Sequence, residues 1–157
     1  MPVSDRSERM VNRLLDRLPA SEYKSLVRSD KVVSLEHGDE LYPQDRRGGL
    51  SYVYFPISGM ISLTVLMENG KEVEAATVGN EGMIGLPIVH GLDFSPTKAI
   101  SQISGEALRI PTAVFVMAMK PGATLHRLVH RYAAFSIRYG NQTVACNLLH
   151  SDRKSVV

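Results

Sequence analysis

The stretch TVGNEGMIGLPIVHG, residues 77–91, places Gly79, Gly82 and Gly85 three apart inside an otherwise apolar segment. Glycines so spaced either let strands bend tightly into a loop or let backbone N–H groups close on an anion. What flanks the loop decides the fold. Upstream, Ile61, Leu63, Val65 and Met67 alternate with Ser62, Thr64 and Leu66 along Met60 to Met67, a strand pattern. Asn69-Gly70 follows, and Glu72 to Val78 reads as the return strand, so a hairpin with a type I′ turn is expected, with positive φ at both turn residues. Downstream, Ala99 to Ile103 and Glu106 to Ile110 read as a later strand pair split by Ser104-Gly105.

Working outward, Val32 to Glu36 leads into the turn His37-Gly38-Asp39, and Glu40 to Tyr42 leads out to Pro43. The loop QDRRGG, 44–49, precedes a strand over Tyr52 to Ile57 and a turn at Ser58-Gly59. Many short antiparallel strands with regular turns mean a mainly β sandwich, roll or small barrel. Helices flank it. Residues 6–18 put Met10, Leu14, Leu15 and Leu18 at helical spacing before Pro19, and a second short helix is expected over Ser21 to Val27. Pro111-Thr112 opens a short helical stretch to Met119, which Lys120-Pro121-Gly122 breaks.

From Thr124 the pattern becomes helical and stays so. Leu125, Leu128, Tyr132, Phe135, Tyr139, Gln142, Cys146 and Leu149 follow a three–four spacing, and Val129, Ala133, Ile137, Val144 and Leu148 form a second stripe beside it. One stripe can cover the β domain while the other meets a second helix. The expected reading is a parallel two-helix homodimer contact through Leu125, Leu128, Tyr132, Phe135, Tyr139 and Cys146; the alternative is a helix packed wholly on its own domain. The chain thus divides into an N-terminal helical segment (1–30), a β-roll (31–120), and a long helix with a short tail (121–157).

Composition narrows the function. With 157 residues, 44% hydrophobic and 22% charged, one well-buried domain plus an appended element is expected. The net charge of +2 makes no electrostatic case for nucleic acid binding by the bulk surface. The densest charged spots, Asp45-Arg46-Arg47 and Ser151 to Lys154, read as solvated loop and tail. No apolar run approaches the roughly 20 residues of a membrane span, and the polar start MPVSDRSERM lacks a signal-peptide core, so a cytoplasmic protein without membrane contact is expected. The single cysteine, Cys146, cannot form an internal disulfide or an all-cysteine metal site.

NRLLDRLP (12–19), VYFPISGMISL (53–63), EVEAATVGNEGMIGLP (72–87), GEALRIP (105–111) and QTVACNLLHS (142–151) resemble, in this order, a subgroup of the Crp/Fnr family of bacterial transcription regulators. The resemblance covers nearly the whole chain from about residue 10. It implies an antiparallel β-roll of jelly-roll, cyclic-nucleotide-binding-domain type followed by a long dimerisation helix. It also implies that the glycine loop is a cassette for a cyclic nucleotide or other small anionic effector. The implied effector-binding residues are Gly82, Met83, Gly85 and Leu86 from the cassette, Ser95, Thr97 and Lys98 from its far end, and Asn141, Gln142 and Thr143 from the helix.

The sequence departs from the pattern that binds cyclic AMP. That pattern sets a glutamate directly after the cassette glycine and an arginine beside a Ser or Thr, where this chain has Met83-Ile84 and Ser95-Pro96-Thr97-Lys98. The sugar hydroxyls would lack partners, at about 1–3 kcal/mol for each unmatched buried group. Another effector, or a cavity that only shapes the fold, is then expected. In the family a winged helix-turn-helix follows the long helix, and residues 151–157 leave no room for one, so no direct DNA binding by this chain is expected. A stand-alone dimerisation module with a degenerate pocket is the alternative reading.

A cupin-like metalloenzyme is the rival of a different class. It needs histidines converging inside the roll. Of His37, His90, His126, His130 and His150, only His126 and His130 share a helix face, and HRLVH lacks the internal glutamate of a zinc helix. No catalytic residues and no metal ligands are assigned, and enzyme activity is not expected.

Overall fold

The structure is a computed structural model that describes residues 11–28 and 30–153, without side-chain detail at 141 and 143–153. Seven strands form two antiparallel sheets: β1 (Lys31–Leu35), β7 (Gly105–Pro111) and β3 (Tyr52–Pro56) in the order β1-β7-β3, and β2 (Glu40–Tyr42), β6 (Lys98–Ile103), β4 (Met60–Leu66) and β5 (Glu72–Val78) in the order β2-β6-β4-β5. Three helices, α1 (Ala20–Val27), α2 (Thr112–Ala118) and α3 (Thr124–Arg153), flank them. The mainly β roll with a long terminal helix is the fold class that the sequence led us to expect. No described helix is long and apolar enough to cross a membrane.

The turns between strands differ from the expectation. Ser104-Gly105 does not join a hairpin: β6 pairs with β2 and β4, whereas β7 pairs with β1 and β3. The chain crosses between sheets at this point, and again between β3 and β4. The two corners touch through backbone: a Cβ on Gly59 would lie 2.4 Å from the Ile103 carbonyl oxygen, and one on Gly105 would lie 2.3 Å from that of Ser58. Side chains at either position would push the corners apart, which is why both are glycine.

The β4–β5 connection is a hairpin, but not of type I′. Gly70 alone has positive φ (79°), and the Gly70 N–H donates to Met67 O at 2.9 Å while the Met67 N–H donates to Lys71 O at 2.8 Å. This is a three-residue loop closed by a left-handed glycine, an arrangement that keeps Asn69 in an ordinary conformation.

Two apolar clusters hold the molecule. One lies inside the roll, where Tyr42, Leu50, Tyr54, Ile61, Val78, Ile84, Ala99 and Ala107 meet between the sheets. The other lies between the outer face of β3 and β7 and the helices, and includes Leu15, Leu26, Phe55, Ile110, Phe115, Leu125 and Val129. Strand β3 separates them: Val53 and Phe55 face the helices, Tyr54 faces the roll, and all three are buried.

The N-terminal segment is less helical than its spacing suggests. Only Leu15–Arg17 forms a 3-10 turn; Met10 and the rest of residues 6–10 lie outside the described residues. The side chain of Asn12 sets its start, because Oδ1 accepts the N–H groups of Leu14 (3.0 Å) and Leu15 (3.2 Å). Pro19 ends it by holding Leu18 extended, with ψ at 145°.

Helix α3 starts on a remote cap. The Glu22 carboxylate on α1 accepts the N–H groups of Thr124 (2.9 Å) and Leu125 (3.0 Å). The Thr124 N–H is the main reason the carboxyl titrates below its ordinary 4.5. A folded-state pKa below the unfolded one means this contribution is complete above about pH 5 and fades as pH falls through the folded value. Glu22→Gln is expected to destabilise by about 1 kcal/mol, the lower part of the capping range because the carboxylate is partly solvated. Urea denaturation of both proteins should show this gap at pH 7 and its progressive narrowing as pH falls below the ordinary carboxylate range.

Candidate effector cavity between the roll and the long helix

A cavity of about 420 Å³ opens between the mouth of the roll and α3. That volume lies within the usual range of roughly 300–1,000 Å³ for small-molecule sites. The glycine loop forms one wall. Gly85 adopts φ 107° at the start of a 3-10 turn (Leu86–His90), and a Cβ there would press to 3.0 Å from the Val53 side chain. The loop is also clamped into the sheet, with Ile84 and Tyr54 exchanging backbone hydrogen bonds of 2.8 and 3.0 Å.

Three hydroxyls gather at the inner end. Buried Ser95 lies 3.1 Å from Thr97 (Oγ to Oγ1) and accepts the Thr97 N–H at 3.2 Å. The Tyr42 hydroxyl faces both and receives the Gly85 N–H; burial outweighs these contacts and pushes its pKa up to about 12, so the phenol is neutral at any ordinary pH.

The opposite wall is α3, through Tyr132, Phe135, Ser136 and Tyr139. Tyr132 is its anchor. Its ring lies over Gly82, where a Cβ would sit 2.1 Å from Oη, and its hydroxyl faces the Met83 N–H and the Ser136 hydroxyl. Burial raises the pKa of this phenol too. Below the loop, the Asn12 amide donates to Gly82 O (2.8 Å) and to Pro56 O (2.9 Å), fastening the cassette to the N-terminal segment.

Of the residues expected to bind an effector, Met83, Gly85, Leu86, Ser95 and Thr97 line this cavity. Gly82 is covered by Tyr132, and Lys98 forms an ion pair with Glu72 at 2.9 Å. Gln142 is exposed on α3 away from the lining, and the side chains of Asn141 and Thr143 lie outside the described residues. Sequence reasoning missed Tyr42, Ala76 and Thr77, and assigned Tyr132, Phe135 and Tyr139 to a seam between copies. A strand-end tyrosine before a proline carries no signal of its own.

The same helix divides by length. Leu125, Val129 and Ala133 are buried in the domain's own core, with Leu128 and Tyr132 packed beside them. Phe135, Ile137 and Tyr139 are exposed at 60%, 61% and 58%. Leu125 and Leu128 therefore serve the domain itself, while the Cys146 side chain lies outside the described residues.

No protein-family model and no curated protein matches the sequence. Solved structures do. The regulatory subunit of a cAMP-independent protein kinase A from Trypanosoma brucei, as a mutant bound to cAMP in its A site, superposes with a TM-score of 0.68 at 14% identity, over 87% of this chain and 47% of that one. This chain therefore spans about half of that subunit's chain. The N-terminal domain of a transcriptional regulator from Streptomyces coelicolor A3(2) gives 0.61 at 19% identity, over 87% and 95% of the two chains. The sensor domain of the transcriptional regulator DNR from Pseudomonas aeruginosa gives 0.64 at 16%, over 83% and 85%. At these identities the likeness is one of architecture, and it is specific: the chain has the cyclic-nucleotide-binding β-roll fold found in kinase regulatory subunits and in the sensor domains of transcription regulators.

Proposed function

We propose that this chain is the effector-sensing domain of a Crp/Fnr-type transcription regulator, and that the roll cavity takes the effector. One observation carries the reading: the cavity has the glycine loop on one side and α3 on the other, so an occupant touches both. A ligand that contacts Phe135 and Tyr139 only when α3 lies closed favours the closed state by its differential affinity. The effect travels along a rigid helix to whatever that helix meets. Its exposed half carries Phe135, Ile137 and Tyr139, and there we place the contact with a second copy.

A thermal-melt panel tests the sensing role. Cyclic AMP, cyclic GMP, cyclic dinucleotides, small anions and the neutral probe N-phenyl-1-naphthylamine would each be added to the purified protein. A binder at about a hundred times its dissociation constant adds about 2.7 kcal/mol, a rise of roughly 5–10 °C in a chain this size. The rise should vanish in Ala76→Trp, which fills the cavity; a flat panel contradicts the proposal. The copy contact has its own test: Ile137→Glu, away from the cavity lining, should shift sedimentation from dimer to monomer.

A further inference from the structure

The chemistry of the cavity also restricts the charge of its occupant, an inference that rests on the effector reading above. Among the described residues that line the cavity there is no lysine, arginine or histidine, and the one ionisable group other than tyrosine is the exposed carboxylate Glu81. Lys98, next in sequence to Thr97, is neutralised by Glu72.

The backbone offers an anion little more. The Gly79 N–H donates to Glu81 Oε1 (3.0 Å), Gly82 to Gly79 O (3.3 Å) and Ile84 to Tyr54 O (2.8 Å), while Met83 faces the Tyr132 hydroxyl and Gly85 the Tyr42 hydroxyl. Five N–H groups of the loop expected to cradle an anion, those of Gly79, Gly82, Met83, Ile84 and Gly85, are thus turned to partners inside the protein.

The hydroxyl cluster points the same way. Each hydroxyl carries one proton and two lone pairs. Either atom of the Ser95–Thr97 contact can donate, and with Tyr42 facing both, the three hydroxyls can pass their protons around a closed ring within the cluster, while the N–H groups of Gly85 and Thr97 fill further lone pairs. What remains is acceptor capacity. An anion brings acceptors and no donor, and loses its hydration on entering an apolar space with no countercharge. We propose that the cavity binds a neutral, mainly apolar small molecule that presents one O–H or N–H donor to the Tyr42–Ser95–Thr97 hydroxyls.

The test is displacement of N-phenyl-1-naphthylamine, whose fluorescence rises in apolar surroundings, by three compounds on one ring system. 2-Naphthol brings a donor, 2-methoxynaphthalene none, and 2-naphthoate a negative charge. At pH 7, 2-naphthol should displace the probe at about tenfold lower concentration than 2-naphthoate and severalfold lower than 2-methoxynaphthalene. Tyr42→Phe should narrow the second gap. Ala76→Trp, or Leu63→Trp should the first variant not fold, should abolish probe binding. If 2-naphthoate or cyclic AMP displaces the probe as well as 2-naphthol does, the neutral-ligand inference falls while the sensing role stands. A probe that does not bind, or binds equally well to the blocked variant, overturns the neutral-ligand inference, and the sensing role then stands or falls with the thermal-melt panel.

Discussion

Asn12→Ala should lower stability by about 3–4 kcal/mol, a fall of roughly 10 °C in melting midpoint. The side chain is fully buried and makes four hydrogen bonds, two as donor to the carbonyls of Pro56 and Gly82 and two as acceptor from Leu14 and Leu15. Each bond contributes about 1 kcal/mol net, and alanine leaves all four backbone partners without a mate. Asn12→Asp sharpens the test. It keeps the acceptor for Leu14 and Leu15 but turns a carboxylate oxygen toward two carbonyls, so it should be at least as damaging as alanine at pH 7. Urea denaturation measures both. A loss below about 1 kcal/mol for Asn12→Ala would mean that the N-terminal turn and the cassette are not joined as described.

The second large effect belongs to Gly82. An alanine methyl there would lie 2.1 Å from the Tyr132 hydroxyl oxygen and 2.5 Å from Cζ, and a tyrosine ring cannot yield that distance without moving its helix or the loop. Gly82→Ala should cost about 2–3 kcal/mol. The cost is conditional on Tyr132. In a Tyr132→Ala background the same change should cost well under 1 kcal/mol, because the group it collides with is gone. A double-mutant cycle that instead shows simple additivity would place the strain elsewhere in the loop. The cycle also bears on the proposed sensing role, since Tyr132 ties α3 to the cassette beside the cavity.

Much of the architecture could be read from local pattern. The alternation over Met60 to Met67 became β4, the segment from Glu72 became β5, and the three–four spacing from Thr124 became α3. The partnership of strands could not be read so, because a glycine turn looks alike whether it folds a hairpin or carries the chain to another sheet. Gly59 and Gly105 are glycines for each other's sake, across 46 positions of sequence, and no local window contains both.

The cavity follows the same logic. Met83, Gly85, Leu86, Ser95 and Thr97 lie near the glycine loop in sequence and could be named from it. Tyr42 comes from β2 and Tyr132 from α3, and each is an apolar-patterned residue whose hydroxyl matters only once the fold brings it to a partner. A seam of apolar residues likewise does not say which neighbour it faces. Leu125 and Val129 face the roll, Phe135 faces the cavity mouth, and Ile137 faces outward.

The most direct test of the account is hydrogen–deuterium exchange of the intact protein with and without saturating N-phenyl-1-naphthylamine. If an occupant bridges the cassette and the long helix, peptides covering 76–97 and 132–139 should both slow on binding, and neither should respond in Ala76→Trp. Protection of the cassette without the helix would contradict the proposed closure of α3 on the occupant, and protection of neither would contradict the cavity as the proposed binding site.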